Sequence, residues 1–338
     1  MSHDAPPAGR PGARPRLRLA AWLTLLAVTG YTAAQYVTSG VGPARCTVRT
    51  QAGAVGAAAG EYRLAPEQAA NAATINAVAA RRGLPERAVT IALATAMQES
   101  GLRNLRHGDR DSLGLFQQRP SQGWGDARQI VDPVYSAERF YDHLVRIPGY
   151  QRMSVNDAAQ SVQHSAFPDA YAKHRAHAEL LSTALSGRSA ASFSCTAGPG
   201  TGGAGGTGSA ERVRALLERE FGKGALSGRT RPGGAARPAG GTAQPAGGAA
   251  RPAVPARVVQ AAGGEGELRL HAKGTRRGWE LAHWAVAHSA GLHVRQVVYR
   301  NSVWDAGSSR VGWRPRGSGD AGAAGDTSAV TVVPASGR

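Results

Sequence analysis

A glutamate at the end of an apolar segment is the residue best suited to acid chemistry. Glu99 follows a stretch rich in Ala, Ile and Leu, and Gly101 stands two positions beyond it. A carboxylic acid that donates a proton near neutral pH needs surroundings that disfavour its charged form. Packing behind it by Met97 and Thr95 would remove water, and the negative end of a helix dipole would act in the same direction. We therefore predict that Glu99 is a general acid.

Two later segments carry groups that could hold a polar ligand beside this acid. The first is Gly114-Leu115-Phe116-Gln117, and the second runs from Gln163 to Tyr171. A glycine lets the backbone approach a ligand closely, and a glutamine amide can bond to N-acetyl or hydroxyl groups. Ser100, next to Glu99, can hold a backbone or ligand group. These residue types predict a sugar-sized cleft.

The three segments, in this order and spacing, resemble the lysozyme-like lytic transglycosylase superfamily, in the version seen in actinobacterial exported proteins. The similarity covers about residues 65–187. It implies cleavage of the MurNAc–GlcNAc bond of peptidoglycan, with Glu99 as acid and then as base. The muramyl 6-hydroxyl would attack C1 and give a 1,6-anhydro product. The substrate contacts that it implies are Ser100, Gly114, Leu115, Phe116, Gln117, Gln163 and Tyr171, of which Tyr171 would orient the acid or the sugar.

Other functions stay open on the sequence. Hydrolysis usually requires a second carboxylate at a defined separation; Asp109, Asp111 and Asp126 are candidates, and Asp111 is the best of them. The alternatives to a transglycosylase are therefore a muramidase-type hydrolase that uses such an aspartate and a wall protein that binds glycan without cleaving it. Trp124 could stack on a sugar face or simply anchor its loop.

The charge of the chain suggests partners other than nucleic acid. The formal net charge is +17, but the arginines are scattered and no groove-reading motif accompanies them. Acidic wall polymers and an anionic membrane face fit this charge equally well. His174 and His177, and the histidines from 283 to 293, lack the spacing and carboxylate company of a zinc site. We predict no metal ion and no cofactor.

The N-terminus predicts export. Arginines within residues 1–18, a basic cytoplasmic tail, precede an uncharged apolar run over 19–37. This run is about long enough for a transmembrane signal-anchor with its N-terminus in the cytoplasm, and a cleaved signal peptide is the alternative. Both place the rest of the chain outside the membrane. Cys46 and Cys195, the only two cysteines, bracket the helical region and would pair in an oxidising compartment.

The elements that must position these groups are mainly α-helical. Residues 61–195 form the predicted lysozyme-like domain, with Pro66 in a first helical turn and Ser154 as a cap. Residues 196–264 are a flexible basic linker of Gly, Pro, Ala and Arg that contains a short amphipathic helix. Residues 265–316 form a small α/β module, similar to one appended to other exported actinobacterial wall proteins. Trp279, Trp284, Trp304 and Trp313 would form its core, and one of these indoles could instead stack on a sugar. We expect residues 317–338 to be disordered. The helices are predicted at 66–82, 85–99, 134–147, 155–165, 169–185, 211–221 and 275–290.

Overall fold

The computed structural model describes residues 22, 24–31, 43–50, 60–196, 207–223, 266–317, 320 and 327–336. The chain divides into two units, Met1–Pro43 and Ala44–Arg338. In the first unit, residues 24–31 are helical. The rest of the predicted 19–37 span, except residue 22, lies outside the described residues, as does the 1–18 tail. In the part of the chain that is described, no helix is both long enough and apolar enough to cross a membrane.

Helices dominate the first part of the second unit, in agreement with the predicted helical character. Helix α1 begins with a proline in its first turn, as predicted, and α2 ends at Ser100. The last helix begins later than predicted, because a short 3₁₀ helix, Ala172–His174, precedes it. The helices are α1 Pro66–Arg81, α2 Glu86–Ser100, α3 Ala127–Ile130, α4 Pro133–Leu144, α5 Val155–Gln163 and α6 Arg175–Leu185.

A three-stranded antiparallel sheet, which the sequence analysis did not anticipate, joins the two ends of this helical region. Its strands are β1 Arg45–Arg49, β2 Glu61–Leu64 and β3 Phe193–Thr196, in the order β2-β1-β3. Cys46 and Cys195 lie opposite each other on β1 and β3 and form a disulfide bond. The predicted disulfide is therefore confirmed, and it links the entrance of the helical region to its exit.

Helix α7, Ala210–Phe221, occupies part of the segment predicted to be a flexible linker. The helix itself was predicted, but its packing was not: Val213, Leu217 and Phe221 are buried. The linker prediction is thus wrong for these residues, because the apolar face of an amphipathic helix gains free energy by leaving water. Residues 197–206 and 224–265 of the predicted linker lie outside the described residues.

A five-stranded antiparallel sheet forms the C-terminal part, in the order β4-β8-β5-β6-β7. Strand β8, Ala329–Pro334, lies between β4 and β5 and is buried along its whole length. The expectation of a disordered tail is therefore wrong for this strand, which a β-branched run beginning at Val330 favours. The other elements are β4 Leu268–His271, α8 Thr275–Ala287, α9 Ser289–Leu292, β5 Val294–Tyr299, β6 Ser302–Asp305 and β7 Arg314–Pro315.

The C-terminal sheet and the helical region share one core. Glu220 of α7 is almost fully buried and accepts hydrogen bonds from the Thr74 hydroxyl at 2.8 Å and from the Trp284 indole at 2.7 Å. His288 Nε2 lies 3.3 Å from the same carboxylate. Burial would raise the pKa of Glu220, but the charge of His288 and these hydrogen bonds outweigh burial and lower it. One buried carboxylate thus connects α1, α7 and α8.

The indoles of the C-terminal part also bind β3. Trp304 Nε1 donates to the Cys195 carbonyl at 3.0 Å, and Trp313 Nε1 donates to the Phe193 carbonyl at 2.7 Å. Trp279, Trp284 and Trp304 are buried, as predicted for core residues. The C-terminal part is therefore packed against the strand that carries the disulfide bond.

Candidate functional site

Glu99 lies in the last turn of α2, at a sharply terminated helix end. Gly101 follows with φ +62°, a left-handed conformation that favours glycine. The N–H groups of Gly101 and Leu102 bond back to the carbonyls of Met97 and Ala96, at 3.1 and 3.0 Å. The residues of α2 from Ala88 to Met97 are buried, whereas Glu99 is half-buried. The helix thus brings a carboxylate from the core to the protein surface.

Tyr171 binds this carboxylate directly. Its hydroxyl donates to Oε1 of Glu99 at 2.6 Å, although the two residues are 72 positions apart. The Tyr171 ring is fully buried, and burial followed by the hydrogen bond to Glu99 raises the pKa of the phenol well above its usual 10. The phenol therefore remains a donor throughout the neutral range. With Oε1 held in this way, no described residue bonds to Oε2 of Glu99.

The Gly114–Gln117 segment is the turn of a short hairpin. Leu113 and Gln118 exchange backbone hydrogen bonds at 2.9 and 3.0 Å. Gly114 has φ +74°, and a Cβ at this position would lie 2.5 Å from the carbonyl oxygen of Ile130. Glycine is therefore required here for packing against Ile130. The prediction that Gly114 serves close approach to a substrate is not needed to explain the residue.

Ser100 and Gln163 bind the backbone of this hairpin. The Ser100 hydroxyl donates to the Leu115 carbonyl at 2.8 Å, and Gln163 Nε2 donates to the Phe116 carbonyl at 2.8 Å. The side chains of Leu115 and Phe116 are fully buried. These four residues were predicted to contact substrate, but their contacts are internal. They bring the hairpin, α2 and α5 together and thereby fix the surroundings of Glu99.

Gln117 is the one residue of the Gly114–Gln117 turn that is not buried. It adopts a left-handed backbone with φ +46°, and its side chain is half-buried. Its Nε2 donates to the Gly114 carbonyl at 3.2 Å. Its Oε1 lies over Gly108, only 1.8 Å from the point that a Cβ atom on Gly108 would occupy. Gly108 therefore makes room for the Gln117 amide.

In the described structure none of the three candidate second carboxylates is hydrogen-bonded to Glu99. Asp111 accepts a 2.9 Å bond from the Ser121 N–H and a 2.7 Å bond from Arg119 Nε, and these hold its pKa well below the usual range. Asp126 caps α3 through the Gln129 N–H at 2.9 Å. The Asp109 side chain is 93% exposed. Two of the three carboxylates thus bind their own loops, and the third extends into water.

A second contact beside Glu99 was missed by the sequence reasoning. His174 Nε2 lies 3.1 Å from Oε1 of Gln98. Gln98 and Glu99, which are adjacent in α2, thus contact His174 and Tyr171, which are three residues apart. Burial, followed by the charge of Lys173, lowers the pKa of His174. The sequence offered one signal, the position of Gln98 next to Glu99. Trp124 stacks on His143 with ring centroids 4.1 Å apart and is buried, so it anchors its loop.

Comparison with known proteins gives one partial match. The family profile described as VldE, C-terminal domain, matches residues 232–326. The match covers less than a third of the chain. It takes in β4 to β7 with α8 and α9 and includes none of the predicted site residues. No curated protein matches the chain. The chain is thus similar to the VldE C-terminal domain family over this segment.

Proposed function

We propose that the chain is an exported peptidoglycan lytic transglycosylase with a lysozyme-like helical domain, and that Glu99 is its one catalytic carboxylate. The observation that carries this proposal is the hydrogen bond from Tyr171 to Glu99. It joins two of the three segments on which the resemblance rests, and Ser100 joins the third through Leu115. The peptidoglycan strand is the proposed partner, and the wall side of the membrane is the proposed location.

The arrangement supports a reaction in which one carboxylate acts twice. Protonated Glu99 would give its proton to the glycosidic oxygen while the bond from that oxygen to the muramyl C1 breaks. The 4-hydroxyl of the leaving GlcNAc then departs, and positive charge develops at C1. The Glu99 carboxylate would next take the proton of the muramyl 6-hydroxyl, whose oxygen bonds to C1. The products contain all atoms of the substrate, and no water is consumed.

The contacts of the other side chains support this use of Glu99 as acid and then as base. Tyr171 occupies Oε1 of Glu99 in both steps, because its raised pKa keeps it a donor. Oε2 then faces the substrate and exchanges the proton. Asp111 is engaged by Arg119 and Ser121, which argues against its use as the second carboxylate of a hydrolase. Gln117 is the candidate contact to an N-acetyl or hydroxyl group.

The products distinguish this function from the alternatives. The purified full-length chain is incubated with purified sacculi, and the ends of the soluble fragments are identified by mass spectrometry. We expect 1,6-anhydromuramyl ends. Reducing ends would indicate the hydrolase, and binding to the sacculi without soluble fragments would indicate a glycan-binding wall protein.

A further inference from the structure

The loop from Leu102 to Leu113 connects the acid to the hairpin. Its first residue, Leu102, is fully buried, and its carbonyl accepts a 2.8 Å bond from the Asn71 amide. Further along, the Leu105 carbonyl accepts a 2.7 Å bond from the Gly114 N–H. The loop is therefore fixed at both of these points. Three arginines of the loop are exposed to solvent. Arg103 lies between the two fixed points, and Arg106 and Arg110 follow the second.

Of these three arginines, Arg103 is the nearest to Glu99 in the sequence, and its side chain lies at the end of α2. Its Nη1 is 3.4 Å from the point that a Cβ atom on Gly101 would occupy, so the guanidinium lies back against the end of α2. Gly101 is two residues from Glu99. In the described part of the chain, no carboxylate forms an ion pair with Arg103. An exposed guanidinium at this point is accessible to a ligand bound at the end of α2.

The carboxylates of this loop, and Glu67 beside it, form no ion pair with Arg103. Asp111 is paired with Arg119, and Asp109 lies 4.0 Å from Arg110. Glu67 Oε1 receives the Asn104 N–H at 3.4 Å. Within the described residues the planar guanidinium of Arg103 has no ion-pair partner, so it can bind a carboxylate through two parallel hydrogen bonds.

We propose that Arg103 forms an anion subsite that binds a carboxylate of the peptide attached to the muramyl sugar. The proposal rests on the proposed function, because that function puts a muramyl residue, and hence its peptide, at Glu99. Arg103 would then select strands whose peptides carry a free carboxylate. Arg106 adds positive charge to the same loop and strengthens the attraction at low salt.

Binding tests this subsite independently of catalysis. The full-length Glu99→Gln chain, which should bind without cleaving, is mixed with sacculi stripped of covalently attached acidic polymers. Half of the sacculi are also treated with a water-soluble carbodiimide and methylamine, which converts the peptide carboxylates into neutral amides and leaves the cross-links intact. The bound fraction is measured by sedimentation over a range of chain concentrations. We expect the Glu99→Gln chain to bind the untreated sacculi more tightly than the amidated sacculi.

Substitutions at Arg103 should remove this preference. Adding Arg103→Gln should weaken binding to the untreated sacculi about tenfold, the usual effect of losing one charge-assisted contact. Binding to the amidated sacculi should change less than about twofold. Arg103→Lys, which keeps the charge but not the paired donors, should fall between. Arg295→Gln, which removes an exposed arginine of β5, is the matched control and should not change the preference.

Three results would overturn the subsite: equal loss on both substrates, no loss on either, or an equal loss with Arg295→Gln. Preference that appears only when the acidic polymers are left on the sacculi would also overturn it, and would assign the surface to those polymers. Thermal unfolding of each variant shows whether it is folded. Failure of the proposed function is recognised separately, because the chain with Glu99 intact then releases no fragments from either substrate.

Discussion

The Tyr171 hydroxyl donates to Oε1 of Glu99 at 2.6 Å, from a ring that has no exposed surface. This contact fixes one oxygen of the carboxylate at the end of α2. A buried donor positions its acceptor more strictly than an exposed one, because the ring cannot move without leaving its packing. The proposed chemistry therefore depends on Tyr171 as a positioning residue.

Removal of this donor should impair activity without unfolding the protein. Tyr171→Phe keeps the ring and deletes the hydroxyl, so we expect a fall in fragment release of about 10- to 100-fold, the range for one lost bond to a charged group. The free energy of unfolding should change by only about 1 kcal/mol. Tyr141→Phe, which deletes another buried phenol hydroxyl, bonded to the Ile75 carbonyl at 3.1 Å, is the matched control. Unchanged activity of Tyr171→Phe would show that the contact has no catalytic role.

Gly114 should tolerate no side chain. A comparison with Gly123 separates the cost of the backbone conformation from the cost of the steric clash. Gly114 and Gly123 both have positive φ, +74° and +76°, but only at Gly114 would a Cβ atom clash, 2.5 Å from the Ile130 oxygen. We expect Gly114→Ala to lower the free energy of unfolding by about 2–4 kcal/mol and Gly123→Ala by about 1 kcal/mol. Chemical denaturation measures both. Equal losses would mean that the backbone conformation alone, and not the contact with Ile130, requires glycine.

Folding should weaken in mild acid because of a buried histidine. His283 is fully buried, its Nδ1–H donates to the Ala184 carbonyl at 2.8 Å, and burial lowers its pKa from 6.5 to about 4. The neutral ring therefore stabilises the fold fully above pH 6.5. This contribution is lost as the pH falls through 4, because the unfolded chain binds the proton first.

The loss should amount to about 3 kcal/mol between pH 6.5 and 4. Denaturation of the wild type and of His283→Gln over this pH range isolates it, since the contributions of the carboxylates cancel in the difference. The free energy of unfolding of the variant should depend less on pH. His107→Gln, at an exposed loop position, should follow the wild type. Parallel curves for the wild type and His283→Gln would contradict the prediction.

The buried carboxylate of α7 should couple the helical region to the C-terminal sheet. Glu220→Ala leaves the Thr74 hydroxyl and the Trp284 indole without their acceptor. We expect a loss of about 3–5 kcal/mol in the free energy of unfolding. The whole of residues 44–338 should still unfold in one transition, at a lower temperature. Glu211→Ala, in the exposed first turn of the same helix, should cost less than about 1 kcal/mol. Two separate transitions would show that the parts fold independently.

The sequence predicted local features better than contacts between distant segments. The periodicity of apolar residues predicted α1 and α2 with small errors in their bounds, and the cysteine pair predicted the disulfide bond. Strand β8 was missed because Gly, Ala and Ser surround its β-branched residues, and its partners are more than 30 positions away. The packing of α7 depends on Thr74 and Trp284, which no local pattern connects with Glu220.

The candidate site shows the same distinction. The motifs predicted a group of residues around Glu99, but not the contacts that the members make with each other. Ser100 and Gln163 are polar, and each donates to a hairpin carbonyl. A sequence pattern cannot distinguish these internal contacts from substrate contacts, because both require the same donors. The engagement of Asp111 by Arg119 likewise depends on the loop conformation.

Substitution of Glu99 itself tests the central claim most directly. Fragment release from sacculi is compared for the wild-type chain and Glu99→Gln, with thermal unfolding as the check on the fold. Glutamine keeps the size of the side chain and removes the acidic proton of the carboxyl group. We expect anhydro-ended fragments from the wild type and none above background from the variant, at an unfolding temperature close to that of the wild type. Equal release by the two proteins would contradict the assignment of Glu99 as the acid.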